Sequence, residues 1–206
     1  FPEKWKHLAP GRPGETIDQL VAFVDFAATA ANLCGLEIPG VWEGRPFLGP
    51  GARERELVYL FRGRMDERYD TVRAIRTKEH LYVRNFSPHR PLGQAYTYPF
   101  RVLASMGSWY EAFKAGECNA VQARYWKRKQ SEELYVIAED PFQIRNLAGE
   151  KEHRDLLSTL RTKLGNEMLR TRDTGLIPEG MYSRFSRSGT IHQFAQSKDY
   201  PANEVL

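Results

Sequence analysis

Residues 16–35, TIDQLVAFVDFAATAANLCG, constrain what this chain can fold into more than any other stretch. Thr16 followed three positions later by Gln19 is the pattern of a capping box, in which paired side chains satisfy the free N–H groups at a helix start. Gly35 supplies the stop, because glycine takes the left-handed backbone on which helices commonly end. The pattern predicts a helix over about 17–33. Its apolar residues, Leu20, Val21, Phe23, Val24, Phe26, Ala27, Ala30 and Ala31, occupy more than one stripe, so the helix needs cover on two sides. A neighbour outside this chain is expected to supply part of that cover; without it, the patch favours a homo-oligomer. Asp25 and Asn32 interrupt the run, and no apolar stretch approaches the roughly 18–20 residues of a membrane span.

The segment that follows, EIPGVWEGRPFLGPGA, is dense in Pro and Gly and reads as a loop. ELVYLFR, YDTVRAIRT and HLYVRNF are short β-branched and aromatic runs, the last two separated by Lys78 and Glu79 as in a hairpin. Val72, Ala74, Ile75, Leu81, Val83 and Phe86 partly alternate with Arg73, Arg76 and Arg84, which predicts a sheet with one buried face and one basic, wet face. SPHRPLGQAYTYPFR reads as a second loop, SWYEAFKAGECNAVQARYW as helix with a Gly interruption, and EELYVIAED as a fourth strand. Leu156, Leu157, Leu160, Leu164 and Met168 keep helical spacing. The fold class is therefore α+β, a small antiparallel sheet of about four strands with packed helices. Residues 179–206 are polar and aperiodic and read as an irregular wrapping tail.

A formal net charge of +4 favours anionic partners: sulfated sugars, phosphates or nucleic acid. No recognition helix or stacking motif accompanies the charge, so nucleic acid is not expected. Cys34 and Cys118 lack metal-type spacing; a disulfide, two buried thiols or two unrelated residues all stay open. There is no G-x-S-x-G and no phosphate-cradling glycine loop. Reactive groups concentrate in FRGRMDERYD and RNFSPHRP, which place Arg62, Arg64, Asp66, Glu67, Arg68, His89 and Arg90 near strand ends. Guanidinium forks bind sulfate or carboxylate oxygens bidentately. The plainer alternative is a solvated charged loop. RYWKRKQ also mixes aromatic and basic residues, and reads as a solvated helix end.

Three segments, in order, carry a family resemblance. LVAFVDFAATAANLCGLEIPGVWEGRPFLG, RMDERYDTVRAIRTKEHLYVRNFSPHRP and EELYVIAEDPFQIRNLA resemble successive stretches of the C-terminal part of a type I sulfatase, closest to the heparan N-sulfatase (N-sulfoglucosamine sulfohydrolase) branch. Ala28, Val136 and Gln143 depart from residues common in that family.

The resemblance implies the C-terminal subdomain of an alkaline-phosphatase-like sulfatase. Residues 1–50 would be the end of its large α/β domain, 51–178 the subdomain and 179–206 the tail. It implies a parent hydrolysing sulfate esters or N-sulfates on glycans, with calcium and a formylglycine made within a C/S-x-P-S/A-R motif, in a periplasmic, secreted or lysosome-like setting. Cys34-Gly35-Leu36 and Cys118-Asn119-Ala120 lack that motif, so no catalytic or metal residue is expected here and the catalytic half is expected upstream of Phe1. The implied partners are the N-terminal catalytic domain of the same protein and an anionic, sulfated sugar. Arg64, Glu67, Arg68, His89 and Arg90 are the expected substrate contacts, in a piece inactive alone. The alternative is a stand-alone binding module for anionic glycans.

Overall fold

The computed structural model describes residues 2–185 and 189–205. The chain divides into two compact units, Phe1–Val58 with Arg76–Glu79, and Tyr59–Ile75 with His80–Leu206.

The first unit contains helix α1, Asp25–Leu33. The expected helix over 17–33 is thus shortened at its start, and the reason is local. The Ala22 N–H donates to Asp25 Oδ2 at 2.9 Å, and the Asp25 N–H returns to the Ala22 carbonyl at 2.9 Å. This acid closes the helix start eight residues late, while Gln19 donates to the Phe47 carbonyl at 3.3 Å instead of capping. Asp25 is buried, accepts the Arg45 N–H at 2.8 Å, and is clasped by the Arg55 guanidinium. Burial pushes its carboxyl upward, but the Arg55 bonds and the two N–H groups outweigh that and hold it below the usual range. Thr29 and Asn32, on α1, bond to Phe47 and Leu48, so the Pro/Gly-rich loop is laid back along the helix. Ala28 and Ala31 are buried, whereas Phe23 is 86% exposed and Val24 and Phe26 are also open.

Apart from Val58 and Arg76, which are counted with the first unit, a four-stranded antiparallel sheet belongs to the second. Its strands are β1 (Val58–Arg62), β2 (Val72–Arg76), β3 (His80–Asn85) and β4 (Glu132–Val136), in the order β1-β2-β3-β4. β3 and β4 pair antiparallel with Leu81 opposite Tyr135 and Arg84 opposite Glu132. Ala74, Leu81 and Tyr135 form one core cluster with Val83 and Ile137 against it. Tyr82 and Leu134 are fully buried one register position away, where pleating points them to the other face. The helix written by the leucine spacing, called α5 below, spans Arg154–Thr171, buries Leu157, Leu160, Leu164 and Met168, and lies against β3.

The basic, wet face is corrected at Arg73, which is only 2% exposed. Its Nη2 bonds Asp173 Oδ1 at 3.0 Å, its Nε bonds Asp173 Oδ2, and Tyr59 donates to the same carboxylate at 2.7 Å. The guanidinium is buried because a carboxylate 100 positions away is brought to it, a partner that alternation cannot reveal.

Between β3 and β4 lie α2 (Thr97–Val102), α3 (Ala104–Lys114) and α4 (Ala120–Arg124). The expected second loop therefore contains a short helix, which tolerates Pro99 because that residue falls in the first turn, where N–H groups have no helical acceptor. Asn119 and Gln122 form a reciprocal capping box on α4.

The expected irregular tail is also corrected: its described part holds a 3-10 turn at Glu179–Met181 and three short helices, α6 (Tyr182–Phe185), α7 (Ile191–Gln196) and α8 (Ala202–Val205). Phe194 stacks on Phe185 at 5.3 Å and meets the edge of Tyr200 at 5.6 Å, a ring cluster that the polar composition conceals. The Tyr200 hydroxyl donates to the Asp173 carbonyl at 2.5 Å, tying this tail to the end of α5. Residues 186–188 and 206 of the tail lie outside the described residues.

Candidate functional site

All five expected contact residues fall on two loops that bond to each other, residues 63–70 between β1 and β2 and residues 87–97 after β3. The first loop has a tight tip. Met65 and Arg68 exchange backbone hydrogen bonds at 2.8 and 2.9 Å, and Asp66 takes a positive φ of 45°, which its short polar side chain tolerates. Glu67 then accepts both the N–H and the hydroxyl of Thr97 at 2.6 Å, and these bonds, the hydroxyl's first, hold its carboxyl below the ordinary range. Arg68 Nε donates to the Ala95 carbonyl at 2.7 Å. In the other direction, Arg90 Nη1 donates to the Tyr69 carbonyl at 2.8 Å, and Gln94 reaches the same oxygen at 3.0 Å. Arg90 Nε lies 3.4 Å from His89 Nε2.

Arg64 is placed differently. Its Nε sits between the two oxygens of Glu179 at 2.8 and 3.0 Å, an exposed pair that raises the guanidinium's already high pKa. Its charge is answered inside the protein. Among the described residues, by contrast, neither terminal nitrogen of Arg68 has a protein acceptor, and Arg90 Nη2 has none. Each of these two forks is thus anchored by one bond to a backbone carbonyl and keeps N–H donors with no acceptor among the described residues, the kind of group that can bond an anion's oxygens.

The loops rest on a buried base that sequence reasoning missed. Asp70 is 2% exposed and receives Lys129 Nζ on both oxygens at 2.5 Å, with Arg62 Nε at 3.7 Å. Arg62 turns inward to the Tyr96 hydroxyl instead of joining the surface arginines. The Lys129 N–H donates to the Pro88 carbonyl at 3.0 Å, and the Gly93 N–H to the Tyr125 carbonyl at 2.8 Å. Gly93 is required there, since a Cβ would stand 2.4 Å from the Trp126 ring. Trp126 is buried among Trp109, Tyr110, Tyr125 and Phe100, with ring centroids 4.9 to 6.2 Å away. No local spacing signals the Asp70–Lys129 pair, whose members are 59 positions apart.

Neither cofactor implied by the sulfatase resemblance fits this chain's own residues. Cys34 and Cys118 are free thiols followed by Gly35-Leu36 and Asn119-Ala120, not by the Pro and Arg of a formylglycine motif. Among the described residues, the group of side chains close enough to share an ion is Glu150, Glu152 and His153, whose ligand atoms lie within 4.8 Å of one another. Glu150 is already bonded to Arg145 at 2.8 Å, and a His with two Glu is not an Asp/Asn/Gln calcium set.

No protein-family model matches the chain. Two ulvan-active sulfatases of Formosa agariphila are similar to it. One is 32% identical over 171 residues, 80% of this chain and 28% of that protein. The other is 26% identical over 172 residues, 78% of this chain and 30% of that protein. The chain therefore spans less than a third of the length of these curated relatives. Among solved structures, a 2-O GAG sulfatase superposes with a TM-score of 0.54 at 16% identity, over 93% of this chain and 34% of that one. No helix among the described residues is long and apolar enough to cross a membrane. This chain's homologues are sulfatases, and its four-stranded sheet with packed helices is a fold it shares with a sulfatase of known structure.

Proposed function

We propose that this chain is the C-terminal part of a sulfatase that hydrolyses sulfated glycans, and that its paired loops form one wall of the substrate cleft. The observation that carries the reading is the pair of anchored guanidinium forks, Arg68 on the Ala95 carbonyl and Arg90 on the Tyr69 carbonyl, in a chain 32% identical to a sulfatase. Arg68 and Arg90 bind and orient sulfate oxygens, while His89 and Glu67 lie beside them, Glu67 keeping the tip of the first loop against Thr97. Arg64 contributes mainly by holding the loop to Glu179. The sulfur chemistry, with formylglycine and calcium, belongs to the remaining part of the longer protein, so this chain alone is inactive. That part also covers the apolar surface of Phe23, Val24 and Phe26 on and before α1. The narrower form of the proposal, taken from the N-sulfoglucosamine resemblance, is a preference for N-sulfate.

The test is turnover by the longer protein on O-sulfated and N-sulfated oligosaccharides, for the natural sequence and for Arg68→Ala and Arg90→Ala. Each substitution should raise KM by roughly tenfold, the worth of one charge-assisted contact, with a smaller effect on kcat. Unchanged KM in both variants would remove the loops from the cleft, and hydrolysis by this chain alone would overturn the division of labour. Faster turnover of O-sulfated sugars would reject the N-sulfate form.

A further inference from the structure

A pocket of about 310 Å³ opens in the second unit, and neither Arg68 nor Arg90 is in its lining. Its cations sort into two kinds. Arg124 is spent on the wall itself: it bonds Glu133 at 3.0 Å, the Gln143 carbonyl at 2.6 Å and the Tyr135 hydroxyl. Lys129 is spent on Asp70. Lys127 and Arg128 remain, exposed at the pocket, and no described residue gives either side chain an acceptor or an acid. The one acid in the lining, Glu133, is already neutralised by Arg124, so the pocket carries two unanswered positive charges.

The backbone bearing those charges is fixed on both sides. Trp126 is sunk in its aromatic cluster on one side, and on the other Lys129 is held through both its side chain and its N–H. Facing them are two amides. Asn146 Oδ1 accepts from Leu134 and Ala148, and its Nδ2 donates to the Glu132 carbonyl, which leaves one amide hydrogen. The Gln130 side chain has no partner among the described residues. The apolar part of the lining is Leu92, Ala120 and Ile144, with no aromatic ring on which a nucleobase would stack.

We infer that this pocket is a second saccharide site, taking a sulfated sugar ring with its sulfate on Lys127 and Arg128 and its hydroxyls on Gln130 and Asn146. A few convergent polar groups on apolar walls are the usual make-up of a small-ligand site of this volume. The site requires neither Arg68 nor Arg90, and it stands whether or not the longer protein hydrolyses sulfate. In a chain whose homologues include ulvan-active sulfatases, it would hold a polysaccharide at a second point along its length.

The test is site-resolved: amide NMR of the full 206-residue chain titrated with a sulfated disaccharide, its desulfated counterpart and inorganic sulfate. The sulfated disaccharide should move the side-chain amide signals of Gln130 and Asn146, in the natural chain and in an Arg68→Ala/Arg90→Ala variant alike. Lys127→Ala/Arg128→Ala should weaken that response by roughly tenfold or more. Both residues are exposed and unpaired, so this variant keeps the fold, as an unchanged spectrum elsewhere would verify. The inference fails if the desulfated sugar or inorganic sulfate moves those signals as strongly as the sulfated disaccharide. It also fails if the Lys127/Arg128 variant responds like the natural chain, or if the response disappears with Arg68 and Arg90.

Discussion

The side-chain amide of Asn146 pairs with the backbone around Leu134 as a neighbouring strand would: the Leu134 N–H donates to Asn146 Oδ1 at 2.9 Å, and Asn146 Nδ2 donates to the Glu132 carbonyl at 3.0 Å. The Leu147 N–H then continues to the Leu134 carbonyl at 2.9 Å. One asparagine thus closes the outer edge of β4. Asn146→Ala removes three hydrogen bonds, including two to the strand, and should destabilise the chain by about 1–3 kcal/mol, since β4's N–H and C=O lose partners. Urea unfolding measures it; Asn146→Asp, which keeps the acceptor, should cost less.

The buried pair of Arg73 and Asp173 ties β2 to the segment after α5. Burial raises the Asp173 carboxyl, but the Arg73 guanidinium and the Tyr59 hydroxyl outweigh it and leave the group more acidic than in an unfolded chain. Its contribution to stability is therefore complete above the unfolded value of about 3.9 and drains away as pH falls through the lower folded value. Asp173→Ala should cost about 3–5 kcal/mol at neutral pH by leaving Arg73 charged and enclosed. Denaturation midpoints between pH 2 and 7 should fall on the acid side for the natural chain, with a shallower fall for Asp173→Asn.

Gly93→Ala should be more disruptive than its size suggests. The new methyl would meet Trp126 at 2.4 Å and Tyr125 at 2.6 Å, two rings locked in one cluster that cannot retreat. A loss of about 1–3 kcal/mol is expected, as for overpacking in a core, together with a changed near-ultraviolet circular dichroism signal from the tryptophans. An unaltered spectrum would show that loop 87–97 is not fastened at this point.

The exposed Phe23, Val24 and Phe26 make the isolated chain prone to self-association. Light scattering at rising concentration should show a growing mass, and Phe23→Ser with Phe26→Ser should return it to that of a monomer. A monodisperse monomer of the unaltered chain at high concentration would refute this.

The parts of the fold legible in the sequence were those specified by neighbours in the chain. The hairpin turn at Lys78 and Glu79, the β4 segment and the leucine spacing of α5 each express a period or a turn within a few residues. What escaped depended on distant partners. The Thr16/Gln19 pattern is a sound cap in isolation, but Phe47 claims Gln19 and Asp25 closes the helix from within. Arg73 looked solvent-facing because Asp173 cannot be seen from β2. For the loops, Glu67, Arg68, His89 and Arg90 were identifiable as charge near strand ends, whereas the Asp70–Lys129 base that supports them, and the internal pairing of Arg64 with Glu179, are products of tertiary structure.

Closing β4 with a side chain has a consequence for how this sheet meets other polypeptide. A sheet grows by offering unpaired N–H and C=O groups along a free edge, and here one margin is sealed. Any segment that joins by strand addition must therefore approach β1, where Leu60 and Phe61 stand exposed. Growth is one-directional: the same margin that would receive a proper companion strand is where an unwanted copy would start a stack.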